Sequence, residues 1–100
     1  MMEQQYFMLL ATDIDDSHEA RTAARPEHLA RLQKLDDENR LLIAGPNPFP
    51  DETDKVSGSL IVAKFNSLDD AQTWAEADPY AHAGVYEEIL IKPFKKVFPS

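Results

Sequence analysis

Gln5-Tyr6-Phe7-Met8-Leu9-Leu10-Ala11-Thr12 is the stretch on which the reading of the fold turns. It is short, holds two neighbouring aromatics, and is apolar at odd and even positions alike. Side chains of a strand alternate between two faces, so a run apolar on both suits a central strand covered on both sides. Outward from it comes Asp13-Ile14-Asp15-Asp16, and Asp16 with Glu19 has the spacing of a capping box that opens a helix. The helical pattern runs to about Glu38. Pro26 lies inside it, which predicts a break or kink, with Pro26 as the first residue of the main helix. Leu29, Leu32 and Leu35, with Ala30 beside them, supply that helix's inward face.

Leu41-Leu42-Ile43-Ala44 reads as a brief strand stopped by Gly45-Pro46. Residues 46–56 hold three prolines and several acids and read as a long, stiffened loop. A strand from about Ser57 to Phe65 follows. Ser67 caps a second helix with Leu68, Ala71, Trp74 and Ala75 on one face, and Asp78-Pro79 stops it. Val85 to about Lys92 forms the last strand, and Pro93 confines its extension to an edge or a bulge.

The order is β-α-β-β-α-β, an α+β unit of the ferredoxin-like, split βαβ kind, in one domain over residues 1–100. Two helices cover only one face of a four-stranded sheet. The first strand nevertheless carries large apolar residues on both faces, and so does the third. The expected cover for the second face is another copy of the same sheet, a twofold homodimer through the open face. The competing cover is the tail, residues 94–98.

Composition narrows the function classes. The chain has 100 residues, 43% hydrophobic and 28% charged, which is ordinary for one small globular domain. Its formal net charge is −8, and each half holds 9 acidic and 5 basic residues. No basic patch stands ready to displace counterions from a phosphate backbone, so nucleic acid and anionic membrane surfaces are not expected partners. There is no cysteine, which excludes disulfides, thiolate catalysis and cysteine-held metal. No metal and no cofactor are expected, because neither metal-ligand spacing nor a phosphate-cradling glycine loop occurs. The first residues lack the basic region of a signal peptide, and a cytoplasmic protein is the simplest expectation.

Three histidines are present: His18, His28 and His82. His28, two residues after Pro26, falls on this reading in the first turn of the main helix. The helix N-terminus favours the neutral imidazole there, which can accept a proton near pH 7. The competing reading is a half-buried surface histidine. His18 reads as solvated and His82 as a surface-loop residue. Asp78 would end the second helix, where the dipole disfavours an anion. It would then need a specific partner, or make a local turn before Pro79. A histidine and an aspartate brought together would form a base and its orienting carboxylate. Arg21 and Arg25 would lie along one side of a continuous helix and suit an anionic small molecule, or else pair with Asp13, Asp15 or Asp16.

Several segments in order and at matching spacing carry a resemblance. They are Arg25-Pro26-Glu27-His28-Leu29-Ala30-Arg31-Leu32, Gly45-Pro46 after the Leu-Leu-Ile-Ala strand, and Ser57-Gly58-Ser59. Trp74-Ala75, Ala77-Asp78-Pro79-Tyr80, Ala83-Gly84-Val85-Tyr86-Glu87 and Lys92-Pro93-Phe94-Lys95 complete the set. Together they resemble the YciI-like family, also called YCII-related proteins. The resemblance implies a ferredoxin-like fold that dimerises into an α+β barrel, and a site centred on a His/Asp pair. The matching positions are His28 and Asp78 as catalytic pair, with Arg25, Ser59 and Tyr80 lining a substrate pocket. One family relative is similar to a dehydrochlorinase of a chlorinated hydroxyquinol, which suggests acid–base elimination or isomerisation of a small ring compound. The expected activity is a cofactor-independent lyase, isomerase or hydrolase, with residues 46–56 over the pocket mouth. The alternative is a non-catalytic ligand-binding or stress-related dimer.

Overall fold

The structure is a computed structural model and describes residues 4–100. Strands β1 (Gln5–Asp13), β2 (Leu41–Pro48), β3 (Val56–Phe65) and β4 (Tyr86–Phe94) form one sheet in the order β2-β3-β1-β4. Every neighbouring pair is antiparallel. Helices α1 (His18–Asp37), α2 (Leu68–Glu76) and the single turn α3 (Pro79–His82) make up the second layer. The ferredoxin-like α+β order expected from the sequence is therefore present, with β1 at the centre. Odd-numbered residues of β1 and β3 face the helices. Phe7, Leu9, Ile61, Ala63 and Phe65 meet Leu35 of α1 and Ala71 and Ala75 of α2 in the core.

The even-numbered residues build the opposite face. Met8 pairs with Val62 and Lys92, and Leu10 with Leu60 and Leu90, so an apolar patch runs across the sheet. Ile43 and Leu90 remain 57% and 44% exposed there. The tail does not cover them: Val97 and Phe98 themselves stand in solvent.

Four local expectations are corrected. First, α1 runs unbroken through Pro26. Proline costs about 3 kcal/mol inside a helix. Here the helix is tied to the rest of the fold on both sides of it, by Arg21 to Asp13 and by His28 to Asp78. Second, α1 opens at Ser17, with no side-chain cap bond, rather than through an Asp16–Glu19 box. Asp16 instead takes a left-handed turn, φ 56°, and the Ser17 hydroxyl turns to Asp13. Third, the buried stripe of α1 is His28, Leu32 and Leu35, while Leu29 is 45% exposed and Ala30 is exposed. A histidine holds the inward slot that apolar periodicity assigns to Leu29. Leu68 of α2 is likewise turned outward. Fourth, β2 continues through Gly45 and Pro46 to Pro48, so the loop spans only residues 49–55. β2 is an edge strand, where prolines leave no inner ladder bond unmade. The other edge strand, β4, accommodates Pro93 in the same way.

Candidate active site

His28 lies about three turns into α1, not in its first turn, so the helix dipole no longer bears on it. It is 5% exposed. Its Nδ1 is 2.9 Å and 3.0 Å from the two carboxylate oxygens of Asp78. A carboxylate can only accept, so Nδ1 carries the proton and Nε2 keeps the lone pair in the neutral ring. Among the described residues Nε2 meets no hydrogen-bond partner.

Asp78 is placed by its own backbone. It does not end α2, where Ala77 is the cap. It is the N-cap of α3, and its Oδ1 accepts from the Tyr80 N–H at 2.8 Å. An anion is favoured at that end of a helical turn, which reverses the expected electrostatic conflict. Pro79 follows at the first helical position, where its missing N–H costs nothing. The carboxylate is almost wholly enclosed, and three groups share it: His28, the Tyr80 N–H, and Arg31, whose Nη1 is 3.5 Å from Oδ2.

Arg31 is one turn along α1 from His28. Its Nη2 donates to the Trp74 carbonyl at 2.9 Å, and the guanidinium lies 4.3 Å from the centre of the Trp74 ring. Burial lowers its affinity for a proton, and the charge of Asp78 opposes that shift.

The other end of α1 holds a second polar cluster. Arg21 Nε and Nη2 donate to both oxygens of Asp13, and Nη2 also reaches the Gly58 carbonyl at 3.0 Å and Ser59 Oγ at 2.7 Å. Burial works against the charged guanidinium, but the bond to Asp13 and its charge outweigh this and raise its pKa. Ser17 donates to the same carboxylate at 2.7 Å. Gly58 is obligatory there: a Cβ would stand 2.1 Å from the Ala11 carbonyl oxygen.

Tyr80 joins the two clusters. Its ring stacks on the His28 imidazole at 3.9 Å between centroids, and the Arg21 guanidinium sits 4.8 Å from its centre. Arg21 and His28 are seven residues apart on α1, about two turns, which leaves space for one aromatic ring between them. Tyr86 meets Tyr80 edge-on at 5.9 Å. Burial pushes the Tyr86 phenol far above its ordinary value, and the Asp78 charge adds to the shift. Burial raises Tyr80 as well, against the pull of Arg21 and Arg25.

The fold thus brings His28, Asp78 and Tyr80 into one contact group. Ser59 joins through Arg21 and through a small pocket of about 10 Å³, which it lines with Asp78, Tyr86 and Trp74. That is about the space of one water molecule. Arg25 is exposed and lies close enough to act on the Tyr80 phenol. The pairing of Arg21 with Arg25 as a joint anion site is replaced by an Arg21–Asp13 ion pair. None of residues 46–56 lines this pocket or the groove beside β4, contrary to the expected cover over a pocket mouth. Arg31 and Tyr86 received no site role from the sequence, while Asp13 was foreseen as a candidate partner of Arg21. The Arg31 signal was its place one helical turn after His28 on the same helix. Among the described residues no three His, Cys, Asp or Glu side chains are grouped as metal ligands would be. No helix there is long and apolar enough to cross a membrane.

Relatives share this sequence over nearly its whole length. Protein YciI of Escherichia coli O6:H1 is 54% identical over 96 residues, covering 92% of this chain and 98% of that one. An uncharacterised protein of Haemophilus influenzae is 48% identical over 97 residues, covering 93% and 99%. In three dimensions the chain is similar to the 5-chloro-2-hydroxyhydroquinone dehydrochlorinase of Burkholderia phenoliruptrix, solved with 2,5-dihydroxybenzoquinone. That match has a TM-score of 0.79 and 22% identity over 90% of this chain and 93% of that one. A dimeric protein of unknown function and ferredoxin-like fold from Bacteroides fragilis matches at TM-score 0.52 and 17% identity, over 96% and 100%. The model of the YCII-related domain matches residues 5–95, from the first residue of β1 to just past β4, so the chain belongs to the YCII-related family.

Proposed function

We propose that this chain is a cofactor-independent acid–base enzyme acting on small polar or aromatic molecules. The buried His28–Asp78 pair carries the reading, because it fixes one tautomer and leaves Nε2 as the available base. Nε2 takes a proton from an acidic O–H or C–H of the substrate. The electron pair left behind forms the new π bond, and the leaving group departs with its own bonding pair. Asp78 stabilises the imidazolium, which then releases its proton to solvent. Tyr80 and Ser59 orient the substrate, and exposed Arg25 takes an anionic group on it. The dehydrochlorinase with the same fold supports elimination from a hydroxylated ring as the class to test first.

The experiment is a turnover screen over chlorinated and hydroxylated aromatic compounds, with His28→Ala as control. Turnover by the native chain should fall by a factor of about 10²–10⁴ in the variant, as removal of a general base does. Equal turnover by the two proteins overturns the mechanism.

A second reading is favoured by one observation. Asp78 is already engaged by a backbone N–H and by Arg31, as a structural carboxylate would be. On that reading the pair is a structural element of a non-catalytic ligand-binding or stress-related protein. Tight binding of a screened compound without turnover identifies it.

The same proposal includes a homodimer through the open sheet face and a cytoplasmic setting. The exposed Ile43 and Leu90 support the pairing, as does the dimeric relative of the same fold. Sedimentation of Leu90→Lys as a monomer beside a dimeric parent is the expected result. A parent that sediments as a monomer overturns the pairing.

A further inference from the structure

A groove of about 280 Å³ runs between α2 and the outer edge of β4. Its floor is apolar, made by Ala75, Ile89 and Ile91, and its rim carries Glu76 and Glu87. It lies on the helix side of the sheet, away from the open face. Beyond β4 the chain offers the opposite chemistry. Lys95 and Lys96 are exposed and adjacent, followed by Val97 and Phe98 at 63% and 82% exposure. Two cations followed by two large apolar side chains are the complement of an acidic rim over an apolar floor. An aromatic ring this exposed leaves its hydrophobic surface unused.

We propose that residues 95–100 of a second copy dock in this groove, with Phe98 on the floor and Lys95 and Lys96 against the glutamates. The chain's own tail does not fill it: the tail leaves the far end of β4 with Val97 and Phe98 standing in solvent. The occupant therefore comes from another molecule. This contact is separate from the sheet-face pairing and does not require it.

The chain has no cysteine, so Ser100→Cys accepts a single spin label. Isotope-labelled native chain and unlabelled, spin-labelled Ser100→Cys chain are refolded together from urea, so that copies mix. Broadening of the Ala75 and Ile89 amides is then strictly intermolecular. The expected result is strong broadening at these amides, reduced several-fold by Phe98→Ser in the spin-labelled copy. It should also be reduced by Glu76→Lys with Glu87→Lys in the isotope-labelled copy. Adding Lys95→Glu with Lys96→Glu to the spin-labelled copy should restore it. No broadening at the groove overturns the proposal. Broadening confined to Ile43 and Leu90 does so too, while leaving the sheet-face dimer standing.

Discussion

Tyr80 lies flat against His28, ring centroids 3.9 Å apart and planes 14° from parallel. The same residue donates its backbone N–H to Asp78, the carboxylate that holds His28. One residue therefore fixes both the face and the edge of the imidazole. Its side chain and its main chain do this separately, so substitution can separate the two roles.

Tyr80→Phe should keep the stack and leave the His28 tautomer unchanged, since no part of the contact needs the hydroxyl. Tyr80→Ala should keep the backbone bond but lose the ring, at a cost of about 3–5 kcal/mol for a large buried aromatic. Urea unfolding reads the stability. The imidazole nitrogen shifts read the tautomer, which should become mixed in Tyr80→Ala. A tautomer still fixed at Nδ1–H in that variant would show that Asp78 alone positions the ring.

Asp78 and His28 should differ when each is removed. Asp78→Asn weakens His28, Arg31 and the α3 cap together. Breaking one side of a buried charged pair costs about 3–5 kcal/mol, since the other charge is left uncompensated. His28→Gln leaves Arg31 and the Tyr80 N–H on Asp78, so its cost should be nearer the 1–3 kcal/mol of one buried hydrogen bond. Matched urea titrations test the order. A larger loss in His28→Gln than in Asp78→Asn would reverse the assignment of Asp78 as the hub.

The helix and strand order was legible because apolar runs and turn residues carry it locally. Ala71 reveals its face by period alone, whereas β1 and β3 are apolar at odd and even positions alike and period does not say which set faces the helices. What was not legible depended on tertiary contact. Pro26 reads as a helix start until Arg21–Asp13 and His28–Asp78 are seen anchoring the helix on both sides of it. Gly45-Pro46 reads as a stop until β2 is known to be an edge. His28 and Asp78 were identified by resemblance to a family. Residue type and spacing left them unpaired, because 50 residues separate them. Arg31 went unassigned for the related reason that a charged residue on a helix face is ordinarily solvated.

Gly58 is where the sheet and the second polar cluster depend on one missing side chain. Gly58→Ala puts a methyl group into the Ala11 carbonyl, a backbone atom that moves only with β1 itself. Forcing β1 and β3 apart there also shifts the carbonyl that receives Arg21. Overpacking of this kind costs about 1–3 kcal/mol. Hydrogen exchange should show the loss concentrated at the Ser59–Ala11 end of the ladder. Protection unchanged from the parent at that end would show that the strands accommodate the methyl without separating.

Tyr86 gives the fold an alkaline limit. Its phenol is raised above the ordinary value by burial first and by the charge of Asp78 second. A raised folded-state pKa means the native chain keeps a proton that the unfolded chain releases. Stability from this source is therefore complete below the unfolded value of about 10, and is lost as pH rises from there toward the folded value. Below that window the group contributes no slope. Tyr80 shifts in the same direction and adds to the effect. Tyr86→Phe removes the ionisable group, so its urea midpoint should fall less steeply than the parent's as pH is raised past about 10. Near neutrality, the loss of one hydroxyl should leave the two within about 1–2 kcal/mol of each other. Parallel slopes for the two proteins above the tyrosine range would show that the Tyr86 phenol reaches solvent in the folded chain.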